Sequence, residues 1–382
     1  MTAPRILCIS FSDISADSRV LRQLEVLREF GDVTTLSYGP PPTGVADHLR
    51  IDAALPSLPQ TPLGVLQLAL RRFRAVEFAA PAVKAALGLI AGREFDVVVA
   101  NEARALPLAY RVEGSPRVWC DLHEWAPEER THVLSWRLLV APFMNWLCAQ
   151  YLPRVDAATT VNASIGQMYL ERYGVATEIV RNARPFVPEL TPVPEDPSTI
   201  RLVHSGGAVP GRNLEAIIDA VDLLGDGYTL DLFLVPSRQA DAYWRQVLRR
   251  IEQSPRTTLH DAVAPGDLPA ALNPHDLGVY LLPPHTPNHR LMLPNKFFDF
   301  VQARLGFVYG PSIETDRLIL ENGLGVIAAG YAAQDLADAI RKLSRSQIEG
   351  FKQATDAVAE QMSSDVDVAV EREILTRLIA LN

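Results

Sequence analysis

Short apolar runs rich in β-branched residues recur along this chain with helical periodicity between them, and no other feature limits its folding so strongly. In the first half they are "RILCISF" (5–11), "VTTLSY" (33–38), "FDVVVAN" (95–101), "RVWCDL" (117–122), "AATTVN" (157–162) and "TEIVRNA" (177–183). A second series follows: "TIRLVHS" (199–205), "YTLDLFLV" (228–235), "DLGVYLL" (276–282), "LGFVYG" (305–310) and "LGVIAA" (324–329). Strands that are apolar along their length and separated by helices form parallel sheets covered on both faces. The intervening segment 18–30 sets Val20, Leu21, Leu24 and Leu27 on one helical stripe, as a crossover requires. The expected fold class is α/β, with two Rossmann-like, doubly wound parallel-sheet domains facing a central cleft. Ligands of such sheets lie beyond the carboxyl ends of the strands.

Between the two series lies "PFVPELTPVPEDPS" (185–198), with five prolines and no periodicity. Proline fixes φ and removes a donor, so this reads as a linker. The expected domains are 1–184 and 199–362, with a last helix over about 363–382 crossing back onto the first. At 382 residues two domains are the natural division. A net charge of −9 argues against a nucleic-acid partner, and any anionic ligand must be held by a few local cations.

Cys8, Cys120 and Cys148 are far apart, lie in apolar runs and match no metal spacing, so buried reduced thiols in a cytoplasmic protein are expected. The start, "MTAPRILCISFSDIS", does not read as a signal peptide. The longest apolar stretch, Leu138 to Ala149, is shorter than the ~20 residues a spanning helix needs. The wider run 136–155, with two tryptophans and little charge, reads as a buried helix or as a peripheral contact with the inner face of a membrane.

Four constellations carry chemistry. In "LVHSGGAVPGRNLEAIIDAVDLL" (202–224) a strand ends at Gly206-Gly207 and a helix begins near Arg212. Glycines admit backbone amides to a phosphate, and an arginine adds a fork of donors. The glycines do not follow the dinucleotide spacing. In "LPNKFFDFVQARLGFVYGP" (293–311), Asn295 is the expected N-cap of a short helix that places Lys296 and Asp299 on one face. A lysine there can neutralise a diphosphate and a carboxylate can accept ribose hydroxyls; the structural alternative is a surface ion pair. In "CDLHEWAPEE" (120–129), His123 and Glu124 follow a strand and suit contacts with a sugar and an acceptor hydroxyl. In "SFSDISADSRV" (10–20), Asp17 or Ser18 caps a helix and Arg19 enters its first turn, on the acceptor side. "DVD" (365–367) sits in a helical pattern, where residues two apart point to different faces, so no metal is assigned.

The run "PNKFFDFVQARLGFV…ENGLGVIAA…DLADAIRKL" resembles the donor-binding half of two-Rossmann-domain (GT-B) glycosyltransferases, close to family 4. The resemblance extends to "DSRVLRQLEVLREFG", "DLHEWAPEE", "TVNASIGQMYLERYG" and "VHSGGAVPGRNLEAI", and so touches most of the chain. It implies a retaining, metal-independent hexosyltransferase of polysaccharide biosynthesis, with a nucleotide-diphosphate sugar as donor substrate and no cofactor. The acceptor would be a glycan, a lipid-linked saccharide or a small molecule. Arg212 and Lys296 would hold the diphosphate over Gly206 and Gly207, and Asp299 the ribose. The family's first glutamate falls on Leu291, so Asn288 and His289 of the flanking loop would contact the sugar instead. Its usual second phosphate lysine is missing near Ala216. An epimerase of the same fold and an inactive nucleotide-binding or scaffold protein are the alternatives.

Overall fold

The computed structural model describes residues 3–236 and 241–381. The chain forms two compact units, the first comprising 1–181, 286–288 and 367–382, the second 182–285 and 289–366.

The first unit is built on a seven-stranded sheet. Its strands are β1 (Arg5–Asp13), β2 (Asp32–Tyr38), β3 (Asp47–Arg50), β4 (Val97–Asn101), β5 (Arg117–Leu122), β6 (Ala157–Thr160) and β7 (Glu178–Ile179), in the order β3-β2-β1-β4-β5-β6-β7. Every pairing is parallel. β4 is buried at all five positions, as its run of valines requires. The Ser18–Phe30 helix lays Val20, Leu24 and Leu27 onto the sheet, and the Asp17 carboxylate accepts from the Val20 amide at its start. Ile374, Leu375 and Leu378 of the Ser364–Ala380 helix complete this core beside Val97, Val99 and Trp119.

The second unit has six parallel strands. These are β8 (Ile200–Ala208), β9 (Tyr228–Pro236), β10 (Thr257–His260), β11 (Leu277–Tyr280), β12 (Gly306–Tyr309) and β13 (Gly325–Ile327), in the order β10-β9-β8-β11-β12-β13. The Leu214–Leu224 helix buries Leu214, Ile217, Ile218 and Val221. On the other face, Phe297, Phe298 and Phe300 of the Asn295–Gln302 helix are packed among Phe307 and Tyr309. Full burial of each such ring contributes roughly 1.5–3 kcal/mol.

Both sheets reverse their strand order once, between β1 and β4 and between β8 and β11. Those reversals are where doubly wound sheets open a crevice. The proline-rich segment is irregular, yet it is held to the second unit. Arg304 donates to the Val187 carbonyl, Asn273 to that of Thr191, and buried Lys352 to that of Val193.

Candidate functional site

In the second unit the site forms at the β8/β11 reversal. β8 runs through Gly206 and Gly207 to Ala208 rather than stopping at the glycines. Gly206 has φ +120, and a Cβ there would collide with Lys296 Nζ. That position therefore demands glycine both for its backbone and for the lysine pressed against it. The same hypothetical Cβ would lie 3.9 Å from Arg212 Nη1, so the three residues share one locus. Arg212 precedes the Leu214–Leu224 helix, whose entry turns through Asn213 at φ 58.

Lys296 is buried, with Nζ 5.3 Å from the centre of the Tyr280 ring. Burial, and then the Arg212 charge, depress its pKa to about 7, with Asp299 opposing. No carboxylate lies within ion-pair distance of Lys296 or Arg212 among the described residues. Beneath them His204 is wholly buried, its Nδ1 donating to the Val279 carbonyl at 2.8 Å. That bond leaves Nε2 as an acceptor, buried and unpartnered, as is Ser205 Oγ. Burial and the Lys296 charge lower the His204 pKa to about 3, so the ring stays neutral. An uncompensated pair of cations over a glycine at a strand end is suited to a dianionic group.

Three expectations about this helix are corrected. Asn295 is not the cap: Pro294 holds the extended cap position, which its fixed φ favours, and Asn295 is the first helical residue. Lys296 and Asp299 do not form a surface pair, because both are buried and Asp299 Oδ1 accepts from Arg184 Nε at 2.5 Å. Asp299 is also not a wholly free hook for hydroxyls, since Arg184 already takes Oδ1 of its carboxylate. Burial raises its pKa, and Arg184 opposes that shift. His289 lines a small pocket with Tyr280, Met292, Pro294, Gly310 and Thr315, next to Lys296 through the shared Tyr280 ring, and Leu291 ends the short helix that carries it.

In the first unit the carboxyl ends of β4 and β5 bring acids and a histidine together. Asp121, buried in β5, accepts from Arg19 Nε and Nη2 at 2.8 and 2.6 Å and from Thr159 Oγ1 at 2.6 Å. Arg19, expected on the acceptor side, is thus a buried partner of Asp121, because the helix turns it inward beneath the sheet end. Burial would raise the Asp121 pKa, but Arg19 and then His123 hold it far below the usual carboxylate range. Asp17 accepts from Ser12 Oγ at 2.9 Å as well as capping its helix.

His123 Nε2 lies 3.1 Å from Asp121 Oδ2 and 3.2 Å from Asn101 Oδ1, while Nδ1 lies 3.4 Å from Glu102 Oε1. Burial disfavours its charged form, but Glu102 and Asp121 outweigh burial and raise its pKa. Both ring nitrogens are therefore engaged by the protein. Glu102 follows β4 at φ 72, ψ 150, a region that side chains other than glycine's rarely enter. Burial raises its pKa, with His123 opposing. Although Glu124 is open at its rim, the atoms packed about its carboxyl push its pKa up to about 7, with Glu102 and Glu129 adding to the effect. Thr286–Asn288 groups with this unit, and Asn288 donates to Glu124 Oε2 at 3.1 Å while accepting from the Trp125 amide at 2.9 Å. The Asn288 amide is thereby committed to the protein rather than left for a sugar.

A cleft of about 390 Å³ opens in this unit, with Phe11, Tyr38, Arg104, Glu129, Arg130 and Trp136 among its walls. Trp136 Nε1 is buried there without a partner. "DVD" supplies Asp367 to an ion pair with Arg181 at 3.0 Å. Among the described residues no helix is long and apolar enough to cross a membrane. Sequence reasoning missed Glu102, Asp121 and Arg184; an acid inside or directly after an apolar strand was the available signal for the first two.

No protein-family model matches the chain, and no curated protein matches it. Solved structures do. Sucrose-phosphate synthase from Thermosynechococcus elongatus aligns with TM-score 0.70 and 14% identity, over 99% of this chain and 100% of that one. HepE from Anabaena, crystallised with UDP and glucose, aligns at 0.67 and 13% over 99% and 100%. An α,α-trehalose-phosphate synthase (UDP-forming) from Burkholderia vietnamiensis gives 0.64 and 11% over 99% of each. The chain has the two-domain α/β fold of these GT-B glycosyltransferases.

Proposed function

We propose that the protein is a glycosyltransferase that moves a sugar from a nucleotide-diphosphate sugar to an acceptor hydroxyl. The observation that carries this reading is the Lys296–Gly206–Arg212 locus, two basic side chains with no carboxylate within ion-pair distance among the described residues, at the strand-order reversal of the second sheet. The likeness to proteins such as HepE, solved with UDP and glucose, supports a nucleotide sugar as donor.

Lys296 and Arg212 stabilise the departing diphosphate, where negative charge grows during transfer. The neutral Nε2 of His204 adds an acceptor for a donor brought by the ligand. On the acceptor side Glu124, titrating near 7, is matched to taking the proton of a hydroxyl. His123 serves in this scheme as a fixed cation held between Asp121 and Glu102. Because side chains supply the charge, the reaction proceeds without metal and turnover survives EDTA. Loss of turnover with rescue by Mn²⁺ would overturn that part.

Calorimetric titration of UDP and uridine, or of the GDP, ADP or dTDP counterparts if a thermal-shift screen selects them, tests the donor site. Lys296→Ala and Arg212→Ala should each weaken the diphosphate by about 10- to 150-fold and leave the nucleoside unchanged. Unaltered diphosphate affinity in both would place the anion elsewhere and sink the reading.

A further inference from the structure

Nearly half of the large apolar side chains exposed among the described residues fall in two short segments of the first unit. One is the Pro62–Ala69 helix and its cap, where Leu63, Leu66 and Leu70 are 64, 54 and 57% exposed while Gly64 and Leu68 face inward. The other is 133–138, where Leu134 and Leu138 are 58 and 52% exposed on either side of buried Trp136. The two segments adjoin, since Arg71 Nη1 donates to the Leu138 carbonyl at 2.9 Å. Leu63, Leu66 and Leu70 are spaced as one stripe of a helix, so they present a continuous edge.

The charge around this edge runs against that of the molecule. The chain carries −9 overall, yet the stretch from Leu70 to Glu77 holds Arg71, Arg72 and Arg74 against a single acid, Glu77. That acid accepts from the Tyr151 hydroxyl at 3.0 Å. Arg71, Arg72 and Arg74, with Arg137 of the second segment, are exposed beside the leucines. Leucines rimmed by arginines match the acyl boundary and the phosphates of a lipid headgroup layer together.

We propose that this face docks on an anionic lipid surface, with the leucines entering the headgroup boundary and the arginines pairing with lipid phosphates. A protein of net −9 is repelled by such a surface everywhere except where positive charge is concentrated, so the patch also fixes which side meets the lipid. The uncharged, largely apolar run 141–151 is not the docking element, because Phe143, Met144, Leu147 and Cys148 are buried in the fold. The inference stands independently of the donor-site reading.

The test is co-sedimentation of the full chain with vesicles of phosphatidylcholine alone and of phosphatidylcholine mixed with phosphatidylglycerol. The protein should sediment with the mixed vesicles only, and less so as salt rises. Arg72→Gln/Arg74→Gln should weaken binding by about 30-fold, and Leu66→Ser/Leu70→Ser should reduce it at least as much. Thermal midpoints and nucleoside-diphosphate affinity should stay at the parent values in both variants. No sedimentation, equal binding to neutral vesicles, or parent-like binding by either variant would overturn the proposal. So would a leucine variant that splits a dimer seen by light scattering, which would make the face a contact between copies.

Discussion

Asp121 and Lys296 set opposite electrostatic problems. Asp121 is a buried anion fully answered by Arg19, His123 and Thr159, whereas Lys296 is buried with no carboxylate within ion-pair distance among the described residues. Removing Asp121's charge leaves Arg19 buried and uncompensated, so Asp121→Asn should cost about 3–5 kcal/mol in urea unfolding. Because the Asp121 pKa is depressed, its contribution is present above the ordinary carboxylate pKa and fades as pH falls through the folded value. A substitution cost that stays constant down to strongly acid pH would contradict the pairing. For Lys296 the sign is reversed. With a folded pKa of about 7 against about 10.4 unfolded, the unfolded chain binds the extra proton between those values, and stability rises with pH across that window. A bound diphosphate would restore the proton, so calorimetry near pH 8 in buffers of different ionisation enthalpy should register proton uptake that Lys296→Met abolishes. The sequence pointed to Lys296, Arg212 and the two glycines because their types and order suit a phosphate. Asp121 and Glu102 escaped notice, since an acid beside an apolar strand has no chemical meaning until its distant partners, Arg19 and His123, are known.

The helices and strands differ in how much their own sequence specifies them. Long runs such as "DVVVAN" were legible because burial on both faces leaves only apolar choices. β3, "DHLR", and β10, "TTLH", were not. Both are short sheet-edge strands of mixed polarity, and their pairing is decided by a neighbouring strand. The proline-rich segment is a subtler case. Its composition predicts a linker, but its carbonyls are targets for donors fixed far away in sequence. Gln302 accepts from the Val187 amide, Arg304 donates to the Val187 carbonyl, and wholly buried Lys352 reaches Val193, the His275 carbonyl and Asp276. Lys352→Met should therefore strand the Val193 and His275 carbonyls, at about 1–3 kcal/mol each, while Asp276 keeps its pair with Arg201. It should also open the peptide bonds near Val193 to limited proteolysis. Parent-like resistance there would mean that proline stiffness alone holds the segment.

At the scale of the whole molecule, the two units have separate cores, and the tryptophans divide unequally between them. Trp119, Trp125, Trp136 and Trp146 lie in the first unit and Trp244 in the second. Intrinsic fluorescence therefore reports mainly on the first, while calorimetry sees both. If the donor nucleotide is held by Lys296 and Arg212, it binds only the second unit and stabilises that unit by mass action, by about 2.7 kcal/mol at a hundred times its dissociation constant. The calorimetric transition belonging to the second unit should move upward with added nucleoside diphosphate, while the fluorescence-detected midpoint stays in place. Lys296→Ala should cancel the calorimetric shift and leave the fluorescence curve untouched, because no core residue of the first unit changes. Should the fluorescence midpoint rise in step with the calorimetric one, the units unfold as one cooperative body or the nucleotide also grips the first. Repeating the titration with Asp121→Asn separates these outcomes, since weakening the first unit alone should pull the two midpoints apart only if the units unfold independently.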